Sequence, residues 1–272
     1  MNRQMEIICV GNELLIGKTL NTNAHWLARR ATIFGMLVKR VTIVGDNVDE
    51  IAGAVQEVLD RKPKFIIITG GLGPTFDDKT LEGVSRGLNC KLEVNEKALK
   101  MIREKYETYV KEGKMERVEL TPARVKMATL PEGAEPLPNF VGTAPGVKLK
   151  IAETFLIALP GVPPEMETIF EESVLPLLRE EADGNTFFEM SIYSYGIIES
   201  ELAPLIDQVM HDNPYVYVKS HPKGWGKGME IHFSTSAKES RTAKNRLGKA
   251  IVQLSDLVQK KGGKTKSKKK GQ

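Results

Sequence analysis

The chain has 272 residues, 41% hydrophobic and 27% charged, enough for one large domain or two ordinary ones with a buried core. Its formal charge of +4 misleads: residues 260–272 hold seven lysines and no acid, and elsewhere 32 basic residues face 35 acidic ones. A slightly acidic body excludes a global nucleic-acid surface, two distant cysteines (Cys9, Cys90) exclude a disulfide framework, and no apolar run nears the 18 residues that suggest a membrane span. With no export signal either, the expected compartment is a reducing cytosol.

In chain order, "MEIICVG" from Met5 predicts a strand, Thr22–Phe34 a helix, "LVKRVTIVG" a strand and Val48–Arg61 a helix. "KFIIITGG" predicts a strand buried on both faces, as in a parallel sheet. Helical patterns follow at Leu81–Leu88, Glu96–Lys111 and Thr121–Ala128, then a strand in "TFLIALPG" and a helix from Pro164 to Glu181. Strand–helix alternation of this kind predicts a three-layer α/β domain with right-handed crossovers. Beyond 182–185 the pattern changes: strands at Phe187–Tyr195, Tyr215–Val218 and Met229–Phe233, with helices at Glu199–Met210 and Lys238–Val258, predict a small α+β domain. The expected organisation is therefore a larger domain over 1–168, a connecting helix over 169–185, the small domain over 186–259 and a disordered lysine-rich tail over 260–272.

"VGNELLIGKTLNTN" (10–23) imitates a phosphate-binding P-loop at Gly17-Lys18-Thr19. The spacing excludes it: five residues separate Gly11 from the Gly-Lys pair where a P-loop needs four, and Asn21-Thr22-Asn23 caps a later helix start. The four histidines form no catalytic cluster, and no G-x-S-x-G nucleophile motif occurs. "HPKGWGKG" (221–228) predicts a loop between two strands.

The informative stretch is "TGGLGPTFDDKT" (69–80), directly after the buried strand. Gly70, Gly71 and Gly73 permit positive φ and close approach of a ligand to backbone N–H groups, at the carboxyl end of a parallel strand where open α/β sheets bind ligands. A helix beginning near Asp77 would add its positive dipole end, with Asp77 as a candidate cap. Adjacent acids would repel a phosphate unless a cation intervened, so Asp77 and Asp78 are the candidate ligands of a divalent metal such as Mg²⁺. Glu13 follows the first strand and Asp46 the second. Parallel neighbouring strands would bring Glu13, Asp46, Asp77 and Asp78 to one rim as the catalytic group, with Asp46 and Asn47 rival caps of the next helix. "LPGVPPEM" (159–166) stiffens a turn that would wall the same pocket.

Taken together, "VGNELLIGKTLNTN", "VGDN", "TGGLGPTFDD", "NFVGTAPG" (139–146) and "LPGVPPEM", in this order, resemble the competence/damage-inducible protein A (CinA) family. "YGIIESELA" (195–203) looks like that family's KH-like small domain. The resemblance implies a three-layer αβα domain similar to the molybdopterin-binding domain of MoaB/MogA-type cofactor-biosynthesis proteins, followed by the small α+β unit. It also implies ligand or phosphate contacts from Gly70, Gly71, Gly73, Thr75, Asn21, Asn23, Gly142 and Gly161, and a homodimer. The leading activity it implies is metal-dependent hydrolysis of ADP-ribose to AMP and ribose 5-phosphate. The alternatives are binding or adenylylation of molybdopterin, or a non-catalytic nucleotide adaptor. The family's nicotinamide mononucleotide deamidase domain has no counterpart in these residues, so no such activity is expected. Nucleic-acid contact is expected only through the lysine tail, and no membrane contact.

Overall fold

The computed structural model describes residues 3–181, 184, 186–223 and 228–267. The chain divides into two compact units, a first of 1–32 with 36–181 and a second of 33–35 with 182–272. The helical segment expected to connect two domains thus belongs to the first unit, because its apolar side is buried there: Met166, Ile169, Phe170, Val174 and Leu178 are fully enclosed.

In the first unit, β1 (Gln4–Val10), the short α1 (Asn12–Leu15), α2 (Thr22–Ile33), β2 (Leu37–Val44), α3 (Val48–Asp60) and β3 (Phe65–Thr69) open the fold. Then come α4 (Thr80–Leu88), β4 (Leu92–Val94), α5 (Glu96–Lys111), α6 (Pro122–Met127), β5 (Thr129–Pro131), β6 (Glu135–Leu137), β7 (Gly146–Ile151) and β8 (Thr154–Leu159). A helix of three pieces closes the unit: α7 (Pro163–Ile169), a π-turn at Phe170–Val174 and α8 (Leu175–Glu181). The main sheet has the order β2-β1-β3-β8-β7-β6. Its first four strands are parallel, β7 runs antiparallel to its neighbours β8 and β6, so that β6 shares the direction of the first four, and β4 pairs with β5 apart from it.

Every residue of β3 is buried, as its uninterrupted apolar run requires. Alternate side chains serve opposite faces. Ile8, Val10, Ile66 and Ile68 join α3, α4 and α5 through Ile51, Val55, Val84 and Ile102 in one core. On the helices of the other layer, Trp26 of α2 meets Phe170 edge-on at 5.3 Å, and Arg30 grips Glu171 with two hydrogen bonds.

One expectation about local structure is corrected, and one open alternative is resolved. The helix after the glycine loop starts at Thr80 rather than near Asp77, with Lys79 at its cap position and no side-chain cap bond. Asp77 therefore caps nothing. Asn47, not Asp46, caps α3, its Oδ1 accepting the N–H groups of Asp49 (2.8 Å) and Glu50 (3.2 Å).

In the second unit, β9 (Thr186–Tyr195), α9 (Glu199–Asp212), β10 (Tyr217–Pro222), β11 (Met229–Ala237), α10 (Ser240–Lys260) and β12 (Lys264–Ser267) form a four-stranded antiparallel sheet in the order β10-β11-β9-β12. The helices α9 and α10 bury Ile192, Val218, Ile231 and Phe233 on one side of it. The tail expected to be disordered from 260 instead enters this sheet as far as Ser267, while 268–272 lie outside the described residues. After α10 the chain reverses at Gly262 (φ +83°), and a Cβ on Gly263 would sit 2.7 Å from Val258. Lys-Thr-Lys-Ser then alternates along β9, from Lys264 opposite Tyr195 to Ser267 opposite Ile192. Of the loop expected at 221–228, residues 224–227 lie outside the described residues.

Candidate functional site

The parallel strands β1, β2, β3 and β8 end along one rim, and the loops that leave them enclose a cavity of about 300 Å³. Nine of the residues singled out from the sequence line it together: Glu13, Asn21, Asn23, Asp46, Gly70, Gly71, Asp77, Asp78 and Gly161. Gly73, Thr75 and Gly142 do not. Gly142 lies in the 139–146 loop, its N–H donating to Asn139 (2.7 Å), and a Cβ there would press on Glu165.

The first loop is short because α1 turns the chain immediately after β1. Asn12 and Asp46 clasp the ends of β1 and β2: the Asn12 N–H donates to Asp46 Oδ2 (2.8 Å) and the Asp46 N–H to Asn12 Oδ1 (3.2 Å). Asn21 caps the start of α2, accepting the Ala24 N–H at 3.0 Å. Asn23, at the start of α2, ties the end of β3 to the loop after β8, its Nδ2 donating to Thr69 Oγ1 (3.1 Å) and the Gly161 carbonyl (2.8 Å). Both partners are oxygens, which sets the amide orientation and leaves Asn23 Oδ1 a buried acceptor with no partner among the described residues.

At the end of β3, Gly70 adopts φ +105° with the Val10 carbonyl 2.2 Å from where a Cβ would lie. Only glycine fits there. Thr80 Oγ1 donates to the Gly70 carbonyl (2.7 Å) and locks the loop to α4. Thr75 holds the two acids: its N–H donates to Asp78 Oδ2 at 2.8 Å, and its hydroxyl lies within reach of both Asp78 Oδ2 (2.7 Å) and Asp77 Oδ1. The hydroxyl has one hydrogen, so it serves one carboxylate at a time. Thr75 thus positions the acids, where the sequence suggested a ligand contact. Lys126 fixes the same loop through the Thr75 carbonyl.

Among the described residues, four carboxylates and no lysine or arginine line the cavity. The Thr75 hydroxyl, the Asp77 backbone N–H and the Lys126 charge hold the Asp77 carboxyl below its ordinary value of 3.8, so it is ionised at neutral pH. Among the described residues no three acids, histidines or cysteines stand close enough together to cage a metal ion.

A second cavity of about 430 Å³ adjoins the first and shares Gly71 and Asp78 with it. Its walls are apolar, from Leu72, Leu81, Leu92, Leu120, Pro122 and Val125, with Lys126 and Glu82 among the lining residues. Leu92, Leu120 and Pro122 belong to segments the sequence gave no reason to bring to the rim. Thr69 could have been found, as the one polar residue of a buried strand.

A three-layer α/β unit with a cavity at the carboxyl ends of its parallel strands has the architecture in which open α/β sheets hold ligands. Residues 6–180 match the family model described as "Probable molybdopterin binding domain", and the chain belongs to that family. It is 44% identical over 260 residues to a protein of Pyrobaculum arsenaticum, covering 94% of this chain and 95% of that one. It is 45% identical over 252 residues to a protein of Caldivirga maquilingensis, covering 91% and 94%. Among solved structures, the protein CinA of unknown function from Thermoplasma acidophilum aligns with a TM-score of 0.59 and 39% identity, over 65% of this chain and 98% of that one. The likeness to CinA expected from the motifs is thereby borne out for the first unit. Among the described residues no helix is long and apolar enough to cross a membrane.

Proposed function

We propose that the rim binds a ligand in which a ring system carries phosphate, with molybdopterin the first candidate. The carrying observation is the pair of adjoining cavities, one lined by acids and one by apolar side chains, that share Gly71 and Asp78. A flat heterocycle is accommodated by the apolar walls, while its phosphate lies across the glycine loop among Glu13, Asp46, Asp77 and Asp78. Four like charges would repel a bare phosphate, so Asp77 and Asp78 would hold a divalent cation that neutralises it. The N–H of Gly71, in the glycine loop, is available to fix orientation. The family match favours a pterin over other ring systems.

Hydrolysis of ADP-ribose is the second reading, and the four acids favour it, because carboxylates with a cation also suit a diphosphate. Chromatographic product analysis separates the two. The protein is incubated with Mg²⁺ and either molybdopterin plus ATP or ADP-ribose alone. Retained molybdopterin or its adenylylated product supports the first reading. AMP and ribose 5-phosphate from ADP-ribose support the second, and neither outcome in either mixture overturns both.

A further inference from the structure

We propose that the uncovered face of the four-stranded sheet in the second unit binds single-stranded nucleic acid. The helices α9 and α10 cover one face, taking Ile192, Val218, Ile231 and Phe233. Strand alternation sends the intervening side chains to the other face. The pairing register places Tyr193 and Tyr195 of β9 there, beside Lys266 and Lys264 of β12, with Tyr217 and Lys219 on β10. Tyr195 is 37% and Tyr217 57% exposed, large values for aromatic rings in a sheet. The rings of Tyr193 and Tyr195 stand 6.5 Å apart at 34°, and Lys266 Nζ lies 5.9 Å from the Tyr195 centroid.

Charge on this face selects the partner. Of its acids, Glu230 pairs with Lys223 at 2.8 Å, and Glu189 stands 3.5 Å from His232, a contact that becomes an ion pair only when the histidine is protonated. Lys219, Lys264 and Lys266 make no ion pair among the described residues, and three more lysines follow at 268–270. Exposed tyrosines with unmatched lysines between them match the two needs of a single strand, rings for bases to stack on and cations for its phosphates. The four strands span about 14 Å at the usual strand spacing, a platform of the kind on which aromatic residues stack two or three bases. A duplex hides its base faces and cannot use the tyrosines. The lysine tail expected to act as a loose polycation is, through β12, part of an ordered surface.

The test is fluorescence anisotropy of the full chain with fluorescein-labelled 12-mers of oligouridylate and oligothymidylate, a 12-bp duplex, and phosphatidylserine vesicles. Single strands should bind more tightly than the duplex. Tyr195→Ala and Tyr217→Ala should each weaken single-strand binding at least about fivefold, the lower end of what one stacked base contributes. Tyr195→Phe, which keeps the ring, should bind like the parent. Lys264→Gln with Lys266→Gln should reduce the log–log salt slope by about 1.4. Far-UV circular dichroism confirms that each variant is folded. The proposal is overturned by equal binding of duplex and single strand, by tyrosine variants that bind like the parent, or by binding to the vesicles alone.

Discussion

Gly70→Ala probes whether the strand ends meet as described. The new methyl would lie 2.2 Å from the Val10 carbonyl, and the backbone sits at φ +105°. Forcing an extra methyl into a packed site costs about 1–3 kcal/mol and a left-handed backbone for alanine about 1–2 kcal/mol. The stiffer unfolded chain returns about 0.4–1 kcal/mol. The net is about 1–5 kcal/mol, and at about 2–4 °C per kcal/mol for a unit of this size the melting temperature of the first unit should fall by roughly 2–18 °C. Gly17→Ala is the control, because Gly17 also has a positive φ (+70°) but nothing within 4 Å of its would-be Cβ. Its shift should be smaller, by the full contact contribution. Thermal melts followed by circular dichroism compare the two. If both variants melt together, the Val10 carbonyl does not press on Gly70, and the closure of the rim between β1 and β3 is wrong.

Asn47→Ala removes both cap bonds of α3 and should cost about 1 kcal/mol, read by urea denaturation, while ligand affinity stays unchanged because Asn47 does not line the cavity. Thiol titration with Ellman's reagent at pH 8 should label Cys90 quickly and Cys9 only on unfolding, since burial pushes the Cys9 thiol up and closes access to it. The Asp77 carboxyl is held down in the fold, so its stabilising contribution is present above about pH 4 and is lost only as pH falls through the lowered folded value. NMR titration of Asp77 should show no transition between pH 5 and 8, and Thr75→Val should move its midpoint up towards 3.8. Truncation after Gly263 should lower the melting temperature of the second unit by removing the β12–β9 pairing, an outcome a disordered tail would not give.

Much of this arrangement was legible where one physical signal dominated. The run Phe65–Thr69 announced a central parallel strand, and the glycines after it announced a rim; both follow from burial and backbone freedom that few residue patterns satisfy. The convergence of Glu13, Asp46 and Asp77/Asp78 followed once three strands were taken as parallel neighbours. Short strands escaped because three residues carry too little periodicity, and β5 and β6 each include a proline (Pro131, Pro136) that argues against a strand. β7 did carry a signal, Val147, Leu149 and Ile151 alternating with Lys148 and Lys150. The capping role of Asp77 was misread because adjacent acids before a helix look like caps, whereas α4 starts at Thr80 and bonds back to Gly70 instead. β12 was hidden by composition: four lysine-rich residues read as a solvated tail until β9 supplies the partner strand.

The most direct test of the central claim is isothermal titration calorimetry of the parent chain and Asp78→Asn with molybdopterin, and separately with ADP-ribose, in Mg²⁺. Asp78 is the one acid that lines both cavities. One equivalent of at least one ligand should bind the parent, and Asp78→Asn should weaken it at least about tenfold, or about 1.4 kcal/mol, with little change in melting temperature. Equal affinity of parent and variant, or no heat from either ligand with the parent, would contradict the assignment of the rim as the binding site.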